Sequence, residues 1–176
     1  MNLLLLTSRK REDSFQAKKR LQATFHLVFL FSILFSMQSL AATKTWNTTT
    51  GGAWTTASNW NPSGAPATGD DVVINTAQSA SISAMPSISL NSLDVSATCR
   101  IEAAVSGNTL TITGNFTVGS ACTLSLGNTS ARIAFLLAST ATGSINGTSI
   151  LDFDAGSTQR NFTISGSLTI APGAAI

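Results

Sequence analysis

The sequence predicts an all-β protein, a right-handed parallel β-helix (solenoid), and composition, alternation and repetition support this prediction. Charged residues make up only 10% of the chain and hydrophobic residues 43%, while Ser and Thr together supply about 27%. Exposed helix faces are normally filled with Glu, Lys and Arg, so this composition disfavours helices. Short runs such as Leu110-Thr111-Ile112 alternate apolar and polar residues, as half-buried strands do.

The strand-like runs also repeat at a longer period. Residues 92–101 align with residues 115–124 at an offset of 23, which places Cys99 on Cys122. Moving on by 46 places residues 161–164 over 115–118, with Leu168 and Ile170 on the Cys122 and Leu124 positions. A period of 20–50 residues is typical of solenoids, and we expect about four coils of roughly 23 residues. A β-sandwich is the alternative, but it does not explain the repeat offset of the two cysteines.

The first 42 residues read as a signal peptide with a long basic segment. Lys18, Lys19 and Arg20 precede the apolar run 25–35, and small residues at 39–42 follow as a cleavage site. This segment carries a net charge of +4, and residues 43–176 carry −2. The alternative is an uncleaved membrane anchor, although the apolar run is short for a bilayer. We therefore expect a secreted or cell-surface protein that meets the membrane only through its leader.

Residues 43–80 form a head segment rich in Trp, Gly and Pro, ahead of repeats over 81–176. All three tryptophans of the chain, Trp46, Trp54 and Trp60, fall within this head. They are predicted to cap the open N-terminal end of the solenoid, which otherwise exposes its core. The alternative is an aromatic platform for sugar rings.

The head pattern continues through Gly52-x-Trp54, Asn59-Trp60-x-Pro62 and Gly69-Asp70-Asp71. It resembles the opening unit of secreted β-helical surface proteins, adhesin-like or autotransporter-like, of the Bacteroidetes type. Residues 107–118 resemble the repeat coils of such proteins. The resemblance implies many more coils and a sorting domain for type IX secretion or a translocating barrel. Neither is recognisable here, so a truncated reading frame or fragment of a larger adhesin stays an open alternative.

The two cysteines, Cys99 and Cys122, are candidates for a disulfide. Equivalent positions on adjacent coils would lie about 4.8 Å apart, within the range that a disulfide spans. The alternative is a pair of buried thiols that pack as small hydrophobic side chains. Without a histidine beyond residue 42, two cysteines make no zinc site.

The carboxylate pairs Asp70-Asp71 and Asp152-x-Asp154 are the remaining candidates for chemistry. Asp152 and Asp154 would share one face of a strand, where they could bind Ca²⁺ or act as an acid pair on a polysaccharide. Solvated carboxylates of turns and strands are the simpler interpretation. The lack of a histidine and of an activated nucleophile predicts no enzyme and no cofactor or metal.

We expect an exported structural or adhesion protein that meets surface glycans or other cell-surface proteins. Its Ser/Thr-coated surface suits weak, multivalent contacts. The alternatives are a polysaccharide-active enzyme or a glycan-binding module, and a non-functional truncated fragment. Nucleic acid is not expected as a partner, because the four scattered cations of residues 43–176 cannot make a basic stripe.

Overall fold

The computed structural model describes Gln22 and residues 41–128, 130–153 and 162–176, and the predicted leader lies almost entirely outside these residues. The described residues contain fourteen strands and one 3₁₀ turn, Ala57–Asn59. The strands are β1 (Thr43–Trp46), β2 (Gly52–Ala53), β3 (Trp60–Asn61), β4 (Asp71–Ile74), β5 (Ile82–Met85), β6 (Ile88–Val95), β7 (Cys99–Ala103), β8 (Asn108–Val118), β9 (Thr123–Leu126), β10 (Ile133–Leu137), β11 (Thr142–Ile145), β12 (Ile150–Asp152), β13 (Phe162–Ile164) and β14 (Ser167–Ile170).

The strands stack into a parallel β-solenoid of about five turns, as the fold-class prediction required. The chain visits three columns of paired strands in rotation. Side A contains β1, β4, residues 92–95 of β6, residues 115–118 of β8, β11 and β14. Side B contains β2, β5, β7, β9 and β12. Side C contains residues 88–90 of β6, residues 108–112 of β8, β10 and β13.

All strand pairs within the three columns are parallel, which argues against the sandwich alternative, since sandwiches are built from antiparallel sheets. Sides A and C belong to one sheet that turns a corner inside β6 and β8. The register shifts there between Leu90 and Ser92. At this corner a Cβ on Gly114 would lie 2.7 Å from the carbonyl oxygen of Asn91, so a residue without a side chain is needed.

The coils vary in length more than the sequence repeat indicates. Along side A, successive rungs are 28, 21, 23, 27 and 25 residues apart. The predicted offset of 23 is confirmed between β6 and β8, where Leu93 pairs with Phe116. The predicted alignment of the last coil is wrong, because Leu168 pairs with Gly143 of side A and not with the strand that follows Cys122. Longer turns between the later strands shift the register.

The core is a set of inward columns that run along the solenoid. Ile74, Val95, Val118 and Ile145 occupy successive rungs of side A and are completely buried. Each such side chain packs on the equivalent residue of the next coil, so apolar burial is repeated at every turn. The outward positions of the same strands alternate with these inward positions, as the period-2 pattern predicts.

The two ends of the solenoid differ. At the N-terminal end, β3 pairs antiparallel with β1 and covers the edge of side A. At the other end of side A, β14 leaves Ile170 48% exposed, although this residue continues the buried column. Within the described residues, no helix is long and apolar enough to cross a bilayer.

Candidate functional site

The three tryptophans form one buried cluster under the N-terminal strand β3. Trp46, Trp54 and Trp60 are each no more than 2% exposed. The ring of Trp60 makes edge-to-face contacts with Trp46 and Trp54, with centroids 4.9 and 4.8 Å apart. Such contacts stabilise aromatic pairs beyond the burial of their area. The rings have no exposed face for a sugar, so the structure favours the cap and argues against the aromatic platform.

The indole N–H groups of this cluster are treated unequally. The Nε1 of Trp60 donates to the backbone oxygen of Trp54 at 2.7 Å, and the Nε1 of Trp46 donates to the Oε1 of Gln78 at 2.9 Å. The Nε1 of Trp54 is buried without a hydrogen-bond partner. An unpaired buried donor costs free energy, which the packing of the cap must offset.

The expected Cys99–Cys122 disulfide is not formed. Both cysteines are free and buried, and the register places Cys99 beside Leu124 instead of Cys122. The sequence offset of 23 holds on side A, whereas side B advances by 25 residues at this step, so the two cysteines miss each other in register. They are the buried thiols of the alternative interpretation.

Burial also controls the chemistry of these thiols. It raises the pKa of Cys99 to about 12, with a further contribution from Cys122. Burial raises the pKa of Cys122 as well, against hydrogen bonds from Ser149 and Gly119 that lower it. Because the thiolate is the reactive form, neither cysteine is prepared to act as a nucleophile at neutral pH.

Asp70 and Asp71 have separate structural roles. The buried carboxylate of Asp70 accepts hydrogen bonds from the backbone N–H groups of Ala42 and Ala67 at 2.9 and 2.8 Å. The Oδ1 of Asp71 accepts from the side chains of Asn91 and Ser92. The first carboxylate ties the strand-entry turn to the start of the described chain, and the second joins two rungs of side A.

The second carboxylate pair is only partly described, because Asp154 lies outside the described residues. Asp152 ends β12 on side B, and its Oδ2 accepts a hydrogen bond from the Oγ of Ser125 at 3.4 Å. Among the described residues, no group of three or more His, Cys, Asp or Glu side chains could hold a metal ion.

The most extended functional feature is a flat outward surface on side A, which we call the hydroxyl face. Two columns of outward side chains run along it, and eight of its twelve positions are Ser or Thr. The columns are Thr43, Asp71, Ser92, Asn115, Thr142 and Ser167, and beside them Thr45, Val73, Asp94, Thr117, Ser144 and Thr169. The alternation in the sequence contained this surface as a Ser/Thr-x-Ser/Thr spacing, but only the register brings the spacings into columns.

Hydrogen bonds between rungs order the hydroxyl face. The Oγ of Ser92 donates to Asp71 at 2.6 Å, and the Oγ1 of Thr142 donates to the Oδ1 of Asn115 at 2.9 Å. Neighbouring rungs of a parallel sheet lie about 4.8 Å apart, and outward positions two residues apart on a strand lie about 6.6 Å apart. The face is therefore a regular grid of hydrogen-bonding groups.

Residues 45–152 match the family described as Domain of unknown function (DUF8693). The chain belongs to this family. The DUF8693 match spans the cap and both strand columns of the hydroxyl face from Thr45 to Ser144. No curated protein and no solved structure matches the chain.

Proposed function

We propose that this protein is an exported, non-catalytic surface or matrix protein whose hydroxyl face binds surface glycans by many weak contacts. The observation that carries the proposal is the regular grid of hydroxyl groups on side A. Each Ser or Thr hydroxyl can donate one hydrogen bond and accept others, as a sugar hydroxyl can. Export rests on the leader over residues 1–42, whose basic, apolar and small-residue segments follow the signal-peptide pattern.

The hydroxyl face is suited to a polymer in preference to a single small molecule. Its groups stand on strands of a continuous parallel sheet, so little backbone freedom is lost when a ligand binds. A single hydrogen bond contributes only about 1 kcal/mol because it replaces one with water. Many such contacts to one polymer chain add through effective concentration, which gives useful avidity from weak sites.

A matched pair of double variants tests the face. Thr→Val keeps the branched shape and the strand preference but removes the hydroxyl. Thr142→Val with Thr169→Val alters the hydroxyl face, whereas Thr111→Val with Thr163→Val alters outward positions of side C as the control. The purified full chain and both variants are tested for adsorption to insoluble neutral polysaccharides and to isolated cell envelopes.

We expect the hydroxyl-face variant to adsorb at least about fivefold more weakly, and the control to stay within about twofold of the wild type. Equal losses in both variants, or no adsorption by the wild-type protein, would contradict the proposal. Export is tested separately by the intact mass of the native protein recovered from medium, envelope and cytoplasmic fractions. Recovery of the uncleaved chain from the cytoplasm alone would contradict the exported role.

A further inference from the structure

A cleft of about 300 Å³ opens on side B, away from the residues of the hydroxyl face. Its walls come from three successive coils: the turn before β5, the start of β7 and the middle of β9. The lining residues that matter are Gln78, Ser81, Thr98, Cys99, Arg100 and Ser125. This volume lies at the lower end of the range for ligand pockets, so the cleft suits a small ligand or one unit of a polymer.

The wall that contains Gln78 is held rigidly by the cap. The Oε1 of Gln78 accepts hydrogen bonds from the indole of Trp46 and the N–H of Gly51, at 2.9 and 3.1 Å. Its Nε2 donates to the backbone oxygens of Thr48 and Thr76, at 2.7 and 2.6 Å. With both ends of the amide satisfied, this side chain fixes the turn. A preformed wall loses little entropy when a ligand binds.

The polar groups of the cleft include both donors and acceptors. The Oγ of Ser81 donates to the Oε1 of Glu102 at 2.7 Å, and the Oγ of Ser125 donates to Asp152 at 3.4 Å. Because each hydroxyl gives its proton to a carboxylate, its lone pairs are what it offers to a ligand. The guanidinium of Arg100 contributes N–H donors from the same wall.

The charges favour a neutral ligand. Two carboxylates, Glu102 and Asp152, stand behind the serines and offset the single cation Arg100. An anion would therefore gain little net attraction in this cleft. Cys99 adds a neutral lining, because its buried thiol stays protonated.

We propose that this cleft binds one unit of a neutral sugar, whose hydroxyl groups donate to Ser81 and Ser125 and accept from Arg100. A sugar hydroxyl is both donor and acceptor, and this combination matches the two kinds of group in the cleft. The cleft lies on a different side of the solenoid from the hydroxyl face. Its binding is thus independent of the proposed adsorption to polymers, and either can fail without the other.

The test is titration of the isotope-labelled full chain with methyl glycosides of glucose, galactose, mannose and N-acetylglucosamine, followed by amide chemical shifts. Glucuronic acid serves as the anionic comparison. We expect saturable, millimolar binding of at least one neutral sugar, with shifts confined to residues 78–81, 98–100 and 125. Ser81→Ala and Arg100→Gln should each weaken binding by about tenfold, the effect of losing one hydrogen bond in a site of this kind.

Ser144→Ala on the hydroxyl face is the matched control and should leave binding unchanged. The amide spectrum of each variant also reports whether the chain is folded. If Arg100→Gln does not fold, Ser81→Ala and Ser125→Ala carry the test. The proposal is overturned if no neutral sugar shifts the cleft residues, if glucuronic acid binds more tightly than glucose, or if the cleft variants bind as the wild type does.

Discussion

Replacing Trp54 or Trp60 by phenylalanine removes the same atoms from the same buried cluster, yet the structure predicts different costs. Trp60→Phe deletes the hydrogen bond from its Nε1 to the backbone oxygen of Trp54. Trp54→Phe deletes an Nε1 that is buried without a partner. The first change loses a satisfied interaction in a dry environment, and the second relieves an unsatisfied donor. Both changes also lose part of an indole ring from the core.

The expected difference follows from these terms. Loss of indole volume costs each variant about 1–2 kcal/mol, and this cost largely cancels in the comparison. Losing a buried hydrogen bond costs about 1–3 kcal/mol, whereas removing an unpaired buried donor regains an amount of the same order. We therefore expect Trp60→Phe to be less stable than Trp54→Phe by at least about 2 kcal/mol.

Urea unfolding of the two variants, followed by fluorescence, measures this difference. Each variant keeps two tryptophans, so the signals are comparable. With a urea m-value of about 2 kcal/mol per molar, the midpoints should differ by about 1 M. Equal midpoints, or a more stable Trp60→Phe variant, would refute the assignment of the hydrogen bonds in the cap. A large loss of glycan binding in either variant at unchanged stability would return the cluster to the platform interpretation.

Three further predictions concern other parts of the fold. Gly114→Ala should cost about 1–3 kcal/mol, because its Cβ would meet a backbone oxygen at 2.7 Å, while Gly119→Ala, whose nearest contact is 3.2 Å, should cost less than about 1 kcal/mol by thermal unfolding. Asp70→Ala should destabilise the protein by about 2 kcal/mol or more, since two backbone donors lose their acceptor, and the half-buried Asp71→Ala by clearly less in the same urea assay. Since burial raises the pKa of Cys99 from 9.0 to about 12, the unfolded chain releases this proton first, so the free energy of unfolding should fall with pH between 9 and 12, by up to about 1.4 kcal/mol per unit, and Cys99→Ala should flatten that decline.

The fold could be predicted from the sequence because a solenoid writes its register locally. The alternation in segments such as 115–118 sets which side chains point inward, and their recurrence at 92–95 sets the stacking. What the alternation does not contain is the length of each turn. Coils from 21 to 28 residues along side A therefore defeated a constant offset, and the last coil was placed in the wrong register.

The same limit explains the two outcomes for the candidate site residues. The role of the tryptophans depends on burial, and apolar rings next to an open core end are buried wherever the fold allows it. The disulfide depended on register to within one residue, and a two-residue difference between sides A and B separates Cys99 from the level of Cys122. The side B cleft has no sequence signal, since residues 78, 100 and 125 meet only through the stacking of three coils.

The division between inward and outward positions bears on why the hydroxyl face exists. Stability comes from inward columns such as Ile74, Val95 and Val118, which the outward side chains do not touch. An outward Thr142 or Thr169 could be replaced by Val with a change of less than about 0.5 kcal/mol, because exposed substitutions away from special features have small effects. Folding alone therefore does not require hydroxyl groups at eight of the twelve outward positions of side A. A surface that is costless to vary and yet chemically uniform is accounted for by contacts outside the chain, and a hydroxyl-bearing polymer is the partner whose groups match it.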